Sequence, residues 1–224
     1  MRHIPILAYH RVVDVVPGDD YYGNCLPRTL FAEHMRTLAE AGYHTISLEV
    51  ASRRMGSDEP IDPKSCVITF DDGYLDTYEV AAPVLRSYGF VATVFVVAGL
   101  VGRRSLWDAG KCCTAPLMDW DQLRELARRG WSIGSHTLTH PELARLPVDE
   151  ARHEIVDSRR VLEQELDRPV KTFCYPFGNW DEITYELVRL AGYAAACNDT
   201  WREEHRPFAL ARRLPGPGPH PLAR

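Results

Sequence analysis

The stretch VITFDDGYLDTY, residues 67–78, places two adjacent carboxylates at the end of an apolar run. Its first residues belong to the buried-strand pattern CVITF (66–70), and a helical pattern follows over 76–88. Two neighbouring anions, Asp71 and Asp72, repel each other and are tolerated only beside a cation, a proton or bulk water. The stretch therefore predicts a strand–turn–helix unit whose turn carries a charged site.

The same alternation of strand and helix patterns continues on both sides of this unit. Short apolar runs predict strands at 4–10, 44–48, 66–70, 91–97, 131–136, 170–176 and 193–197. Amphipathic spacing predicts helices at 29–41, 76–88, 119–129, 149–166 and 181–191. This alternation favours an α/β domain with a mostly parallel sheet, which periodicity alone leaves either open or closed into a barrel. In both architectures, active sites gather at the carboxyl ends of the strands.

The composition is that of an ordinary globular protein and excludes several functional classes. The 224 residues include 26 basic and 31 acidic ones, so the chain lacks the basic surface of a general nucleic-acid-binding protein. No apolar run is long enough for a transmembrane segment, and the run before His10 is too short for a signal peptide. We therefore expect a cytoplasmic protein. We also expect one catalytic domain over 1–214 and a poorly ordered Pro/Gly-rich tail over 215–224. The sequence does not indicate an oligomeric state.

Polar side chains stand at the ends of several predicted strands. These side chains are His10, Asp71, Asp72 and His136, with His140 four residues further on. Two imidazoles and one carboxylate can hold a divalent metal ion and leave positions open for water and substrate. Asp72 can be that carboxylate, and Asp71 can then act as a base toward water. The aspartate pair alone would also fit solvated carboxylates in a turn, and the histidine pair alone would also fit surface histidines. The shared placement of the two pairs at strand ends favours the metal site.

Three motifs at these strand ends resemble those of a known family. The segments TFDDG (69–73), SHTLTH (135–140) and YPFG (175–178) resemble the first three signature motifs of the NodB-homology polysaccharide deacetylases, carbohydrate esterase family four. The segments ILAYHRV and FAEHMRTLAEAGYHTISL resemble one branch, which includes the deacetylases of poly-N-acetylglucosamine. The likeness runs from about residue 4 to about residue 214. It implies a distorted (β/α) barrel of about seven parallel strands and a single divalent metal ion, commonly Zn²⁺ and sometimes Co²⁺ or Ni²⁺.

The resemblance also implies roles for individual residues. Asp71 resembles the catalytic base of the family. Thr137 resembles a hydroxyl that supports the second imidazole or the base. The backbone N–H of Phe177 resembles a donor that stabilises the oxyanion of the reaction. The residues that resemble the metal ligands are Asp72, His136 and His140.

The chain departs from the family pattern at two positions. The third motif usually begins with an arginine that pairs with the base, but Cys174 stands there. We expect Arg212, or its neighbour Arg213, to supply the cation instead. The usual Leu-x-His segment near the C-terminus is absent. In the branch that this chain resembles, the order is circularly permuted and the acid histidine lies on the first strand, where His10 fits.

Substrate contacts are expected from aromatic residues and from two long segments. Tyr175 and Trp180 lie in or beside the YPFG motif, where an aromatic ring can stack on a sugar. The segments 14–28 and 99–118 are expected to shape specificity, and the second is long enough to cover the strand ends.

These features predict a metal-dependent hydrolase that removes an N-acetyl group from an amino sugar or N-acetylated glycan, giving acetate and a free amine. Two alternatives stay open. One is a deformylase or deacylase acting on a lipid- or nucleotide-linked sugar or another small amide, and the other is a glycan-binding pseudoenzyme. Non-haem iron oxygenases also use two histidines and one carboxylate, but generally on β-rich scaffolds, which the strand–helix alternation argues against.

Overall fold

A computed structural model of the chain describes residues 3–111, 114–199 and 206–222. Seven of its strands run parallel and form a nearly closed barrel in the order β1-β5-β6-β7-β8-β9-β10. The strands of the described residues are β1 (Ile6–Tyr9), β2 (Arg11–Val13), β3 (Cys25–Pro27), β4 (His44–Thr45), β5 (Ser65–Phe70), β6 (Thr93–Val96), β7 (Ser132–Ser135), β8 (Thr172–Cys174), β9 (Ala195–Asn198) and β10 (Leu210–Ala211).

The two edges of the barrel meet through Arg213, the second residue after β10. Its backbone N–H donates to the carbonyl of Ile6 at 2.8 Å, and its carbonyl accepts from the N–H of Ala8 at 2.9 Å. These two bonds tie the last strand to the first one. The distorted (β/α) barrel expected from the sequence is therefore confirmed.

Helices surround the barrel. They are α1 (Arg28–Glu40), α2 (Leu48–Met55), α3 (Ala82–Ser87), α4 (Trp120–Arg128), α5 (Val148–Leu166) and α6 (Glu182–Leu190), and one π-helical turn precedes α3. Reciprocal capping boxes fix two of the helix starts: Asp119 and Gln122 form one on α4, and Asp181 and Thr184 form one on α6. Within the described ranges, no helix combines the length and apolar character needed to cross a membrane.

Strand register sets the strand ends level with one another. Tyr9 of β1 lies beside Phe70 of β5, and Val96 of β6 lies beside Ser135 of β7. All six residues of β5 are buried, as expected for a parallel strand covered on both faces. The residues that follow β1, β5 and β7 therefore emerge side by side at one rim of the barrel.

One predicted strand is wrong, and one barrel strand was missed. The run 44–48 forms only the two-residue β4, because Ser47 caps α2 by accepting a hydrogen bond from the N–H of Val50 at 3.3 Å. The seventh barrel strand is instead β10, which is too short to give a periodic pattern. The short pair β2 and β3 was also not predicted.

The described part of the Pro/Gly-rich tail lies against α1. The carbonyl of Gly218 is 2.8 Å from Nε2 of His34, a buried histidine of α1, and Leu222 packs against the main hydrophobic core. The side chain of Arg213 donates to the carbonyl of Leu222. The tail thus contacts both the first helix and the residue that joins the barrel edges.

Gly134 in β7 gives a test of barrel packing. A Cβ atom at this position would lie 2.5 Å from Cδ1 of Phe95 and 2.7 Å from Oγ1 of Thr172, on the two neighbouring strands. Overpacking of this kind typically costs about 1–3 kcal/mol. We expect Gly134→Ala to lower the free energy of unfolding by that amount in a urea titration. Gly18→Ala, where a Cβ meets nothing within 4 Å, should leave it nearly unchanged.

Candidate active site

A cavity of about 230 Å³ opens at the rim where the strands end. The residues predicted from the strand ends line it: His10, Asp71, Asp72, His136 and His140. Backbone pairing places them, because the N–H of Asp71 donates to the carbonyl of Tyr9 at 3.0 Å and that of His136 to the carbonyl of Val96 at 2.9 Å. Parallel register therefore brings distant parts of the sequence into one site.

Asp72, His136 and His140 form a buried cluster. Oδ1 of Asp72 lies 3.3 Å from Nε2 of His136 and 3.1 Å from Nε2 of His140. All three residues are at most 6% exposed. Nδ1 of His136 donates to the carbonyl of Cys174 at 2.8 Å, and this bond leaves Nε2 as the ring nitrogen that faces Asp72.

This cluster fits a divalent cation. Within the described residues, Oδ1 of Asp72 is buried without a hydrogen-bond partner. One oxygen and two nitrogens whose ligand atoms lie within 4.8 Å of one another are a donor set suited to Zn²⁺ or a similar ion. Burial alone would raise the pKa of Asp72, but the imidazoles of His136 and His140 outweigh it and hold that pKa well below its ordinary value. Asp72 is therefore an anion, as a ligand must be.

The loops that carry the cluster have unusual backbone geometry. Four non-glycine residues at the site have positive φ: Asp72 at 71°, Thr137 at 66°, His140 at 70° and Phe177 at 57°. Such left-handed conformations cost of order 1–3 kcal/mol each and persist only where the surroundings impose them. Here Oγ1 of Thr137 accepts from the N–H of His140 at 2.9 Å. The predicted supporting hydroxyl thus bonds to the backbone of the second histidine.

Glu154 of α5 holds the same loop and was not anticipated from the sequence. Its Oε2 accepts from the N–H groups of Leu138 and Thr139, both at 2.8 Å, and its Oε1 accepts from the hydroxyl of Thr139 at 2.6 Å. The carboxylate therefore anchors the turn between His136 and His140. A glutamate in a predicted helix gives no sequence signal of this kind.

Asp71 forms a buried ion pair with Arg212. Two guanidinium nitrogens of Arg212 lie 2.7 Å from Oδ1 and 2.5 Å from Oδ2 of Asp71, and the arginine side chain is fully buried. Burial would raise the pKa of Asp71, but the paired Arg212 outweighs it and lowers that pKa. Arg212 also binds Asp199, and its Nη1 donates to Oγ1 of Thr69 at 3.1 Å.

The structure thus decides between the two expected arginines. Arg212 occupies the place beside Asp71, whereas Arg213 joins the barrel edges and donates to the tail. Cys174, which stands where the family has arginine, is buried, with its Sγ 3.7 Å from Oδ2 of Asp71. The cation therefore reaches the carboxylate from the residue that follows β10 rather than from β8.

His10 lies on the open side of Asp71. Its Nε2 is 3.6 Å from Oδ2 of Asp71, and its side chain is 14% exposed. It lines the main cavity and also a neighbouring cavity of about 130 Å³. His10 is thus placed to contact both the carboxylate and a bound molecule.

The expectation that Tyr175 stacks on a sugar is wrong. Its side chain is fully buried, and its hydroxyl donates to the carbonyl of Phe208 at 2.9 Å. Trp180 packs against the rings of Tyr175 and Tyr185 at 6.2 and 6.0 Å, and it is not among the residues that line the main cavity. Phe177 does line the cavity, and its ring meets the edge of His140 at 4.6 Å.

Several cavity residues come from the two segments expected to shape specificity. Trp107 stacks on His140 at a ring distance of 4.3 Å. Asp108 is buried and accepts a hydrogen bond from the hydroxyl of Tyr74 at 3.2 Å. Burial, together with the charge of Asp72, raises the pKa of Asp108. No motif marked Trp107 or Asp108 as site residues. The same holds for the remaining residues that line the cavity, which are Tyr22, Asn24, Tyr74, Asp199 and Leu214.

Comparison with known proteins finds similar sequences among bacterial proteins. YxkH of Bacillus subtilis (strain 168) is 32% identical over 192 residues, which are 85% of this chain and 62% of YxkH. The poly-beta-1,6-N-acetyl-D-glucosamine N-deacetylase of Staphylococcus aureus (strain MRSA252) is 26% identical over 140 residues, which are 58% of this chain and 46% of that enzyme. The chain therefore spans less than two thirds of the length of these relatives.

Solved structures agree with the fold. The Streptococcus pyogenes deacetylase PplD, in complex with acetate, matches with a TM-score of 0.84 and 26% identity over 97% of this chain and 94% of that one. IcaB from Ammonifex degensii matches with a TM-score of 0.80 and 23% identity over 96% and 92% of the two chains, which supports the fold. The family described as polysaccharide deacetylase matches residues 58–196. The chain belongs to the polysaccharide deacetylase family.

Proposed function

We propose that this protein is a metal-dependent hydrolase that removes N-acetyl groups from amino sugars of a glycan. The observation that carries the proposal is the buried cluster of Asp72, His136 and His140 beside the ion pair of Asp71 and Arg212. Asp72, His136 and His140 would hold the cation, with Zn²⁺ the first choice and Co²⁺ or Ni²⁺ possible substitutes. When bound, such a cation supplies Lewis-acid stabilisation of negative charge on oxygen and makes water more acidic.

The residues around the cluster account for the proton transfers. Asp71, kept anionic by Arg212, accepts a proton from the water that attacks the amide carbonyl carbon. The backbone N–H of Phe177 donates to the oxygen that becomes negative. His10 then gives a proton to the amide nitrogen as the C–N bond breaks. The products are acetate and a free amine, and the two proton-transfer groups lie 3.6 Å apart.

The sequence relatives indicate which substrate to test first. The Staphylococcus aureus relative is named for deacetylation of poly-beta-1,6-N-acetyl-D-glucosamine, and the Streptococcus pyogenes structure is that of a deacetylase. We extend this chemistry to the present chain and propose a glycan that contains N-acetylglucosamine. The cavity opens at the rim of the barrel, and Phe177, one of its lining residues, is 45% exposed there.

Acetate release from β-1,6-linked N-acetylglucosamine oligomers tests the proposal. We expect the Zn²⁺-loaded protein to release acetate and the chelator-treated protein to lose that activity. Restoring Zn²⁺ should restore the rate. Absence of acetate release from a panel of N-acetylated oligosaccharides, by protein shown to carry metal, would contradict the proposed reaction.

Arg212→Met should change both the pH dependence and the stability. Without the guanidinium, burial dominates and the pKa of Asp71 rises, so the acidic limb of kcat/KM should move to higher pH. The lowered pKa of Asp71 stabilises the fold at pH values above the ordinary aspartate pKa of about 3.9. Arg212→Met should therefore lower the free energy of unfolding more at neutral pH than at acid pH. Leaving a buried charge without its partner typically costs about 3–5 kcal/mol.

Arg213→Met is the matched control for this variant. Its side chain contacts the tail rather than Asp71, so the pH profile of kcat/KM should stay where it is in the unsubstituted protein. The pH profile and a urea titration at two pH values measure the two effects. An unchanged acidic limb in Arg212→Met would show that Asp71 is not the group that titrates.

A further inference from the structure

The two histidines of the cluster are held in different ways. Nδ1 of His136 donates to the carbonyl of Cys174 at 2.8 Å, which fixes the ring and its tautomer. Nδ1 of His140 is buried, and among the described residues it has no hydrogen-bond partner. Histidines that bind metals almost always have such a second bond. Another contact must therefore orient the ring of His140.

Aromatic packing supplies that contact. The indole of Trp107 lies nearly parallel to the imidazole of His140, with ring centres 4.3 Å apart and an interplanar angle of 28°. The rings of Phe177 and His140 form an edge-to-face contact, with centres 4.6 Å apart and an interplanar angle of 69°. The hydrogen bond to Thr137 holds only the backbone of His140. The ring of His136, itself in the cluster, is a third neighbour at 4.9 Å. Outside the cluster, the orientation of the imidazole therefore depends on Trp107 and Phe177.

We propose that Trp107 is a positioning residue for the metal site, acting through His140. The χ2 torsion of a histidine has broad preferences, so the side chain by itself does not select one ring orientation. A flat indole against one face prevents the imidazole from turning out of its plane. This plane directs Nε2 toward Oδ1 of Asp72, 3.1 Å away. The inference rests on the proposed function, because it assumes that this cluster holds a cation.

The loop that carries Trp107 is itself fixed beside the cluster. The ring of Trp107 lies 6.3 Å from the ring of Tyr74. The hydroxyl of Tyr74 donates at 3.2 Å to Asp108, the residue that follows Trp107 in the chain. The N–H of Asp108 donates to the carbonyl of Ser105 at 3.2 Å, and Ser105 is fully buried. The indole is thus part of an anchored turn, as a positioning role requires.

Titration of the metal-free protein with Co²⁺ tests this role without depending on turnover. Loss of an outer contact of a ligand typically lowers metal affinity by about 10–100-fold. We expect that loss in Trp107→Ala, together with an altered visible absorption spectrum of the bound Co²⁺. Trp107→Phe keeps a flat ring and should bind Co²⁺ nearly as tightly as the unsubstituted protein. Trp107→Leu keeps bulk without a flat face and should behave like Trp107→Ala, which keeps the test decisive if the alanine variant does not fold.

Leu106→Ala is the control in the same loop, because Leu106 is 57% exposed and should not influence the metal. Far-ultraviolet circular dichroism of each metal-free variant establishes that it is folded. Unchanged Co²⁺ affinity and spectrum in both Trp107→Ala and Trp107→Leu would overturn the positioning role. If the same variants raised KM alone, Trp107 would be a sugar-stacking residue, and the proposed function would stand. An unsubstituted protein that binds no Co²⁺ would instead refute the metal site, and the inference with it.

Discussion

Replacing Asp71 with Asn is expected to lower kcat by about 10²–10⁴-fold, the usual contribution of a general base, while metal binding is retained. Asn has nearly the same shape but does not accept the proton of the attacking water. The proposed metal ligands are other side chains, with Asp72 as the carboxylate. Arg212 keeps Asp199 as an anionic partner, so its charge is not left alone. Initial rates of acetate release and the metal content of the same samples measure the two effects.

Asp108→Asn is the comparison for this variant. Asp108 is another buried carboxylate of the cavity, but it accepts from Tyr74 and does not pair with Arg212. If Asp71 is the base, Asp108→Asn should cost much less in kcat than Asp71→Asn. Full activity of metal-loaded Asp71→Asn would remove Asp71 from the reaction and require another base.

Replacing His136 with Ala is expected to remove both tight metal binding and activity. The imidazole of His136 is one of three proposed ligands. Changes in the surroundings of a ligand already lower metal affinity by about 10–100-fold, so removing a ligand should lower it by more than about 10²-fold. The variant should also lose the stabilisation that a bound ion gives, because an ion that binds only the folded state raises Tm. Metal titration and thermal unfolding with and without Zn²⁺ measure these effects.

His153→Ala is the control for a lost histidine. His153 lies on α5, its side chain is 63% exposed, and it pairs with Asp157 of the same helix. Its removal should leave metal affinity and the Zn²⁺-dependent rise of Tm unchanged. Tight binding of one Zn²⁺ by His136→Ala would show that the ion is held elsewhere.

The cavity residues that sequence reasoning found are those fixed by strand ends. Asp71, Asp72 and His136 directly follow apolar runs, and the carboxyl ends of parallel strands meet at one rim whatever the loops between them do. Such positions can be predicted because strand register is a regular property of the backbone. His140 follows from the same logic, since it lies only four residues beyond a strand end.

Positions that depend on an irregular segment could not be predicted in the same way. The choice between Arg212 and Arg213 depends on β10, which has only two residues and no apolar period. Neighbouring side chains on an extended segment point in opposite directions, so a shift of one residue would exchange their roles. The structure shows that Arg212 faces Asp71.

The aromatic residues illustrate the same limit. Tyr175 and Phe177 are two positions apart in one motif, yet Tyr175 enters the core and Phe177 lines the cavity. The positive φ of Phe177 turns the chain at that point, and a sequence pattern does not report such a turn. Trp107 reaches His140 only through the conformation of its loop.

Stepwise reconstitution of the metal-free protein with Zn²⁺ tests the central claim most directly. Bound Zn²⁺ and the rate of acetate release from an N-acetylglucosamine oligomer are measured in the same samples at each step. The rate should rise in proportion to bound Zn²⁺ and level off at a single ion per chain. Full activity in protein that contains no divalent metal, with no increase on adding Zn²⁺, would contradict the claim that Asp72, His136 and His140 hold the ion that the reaction needs.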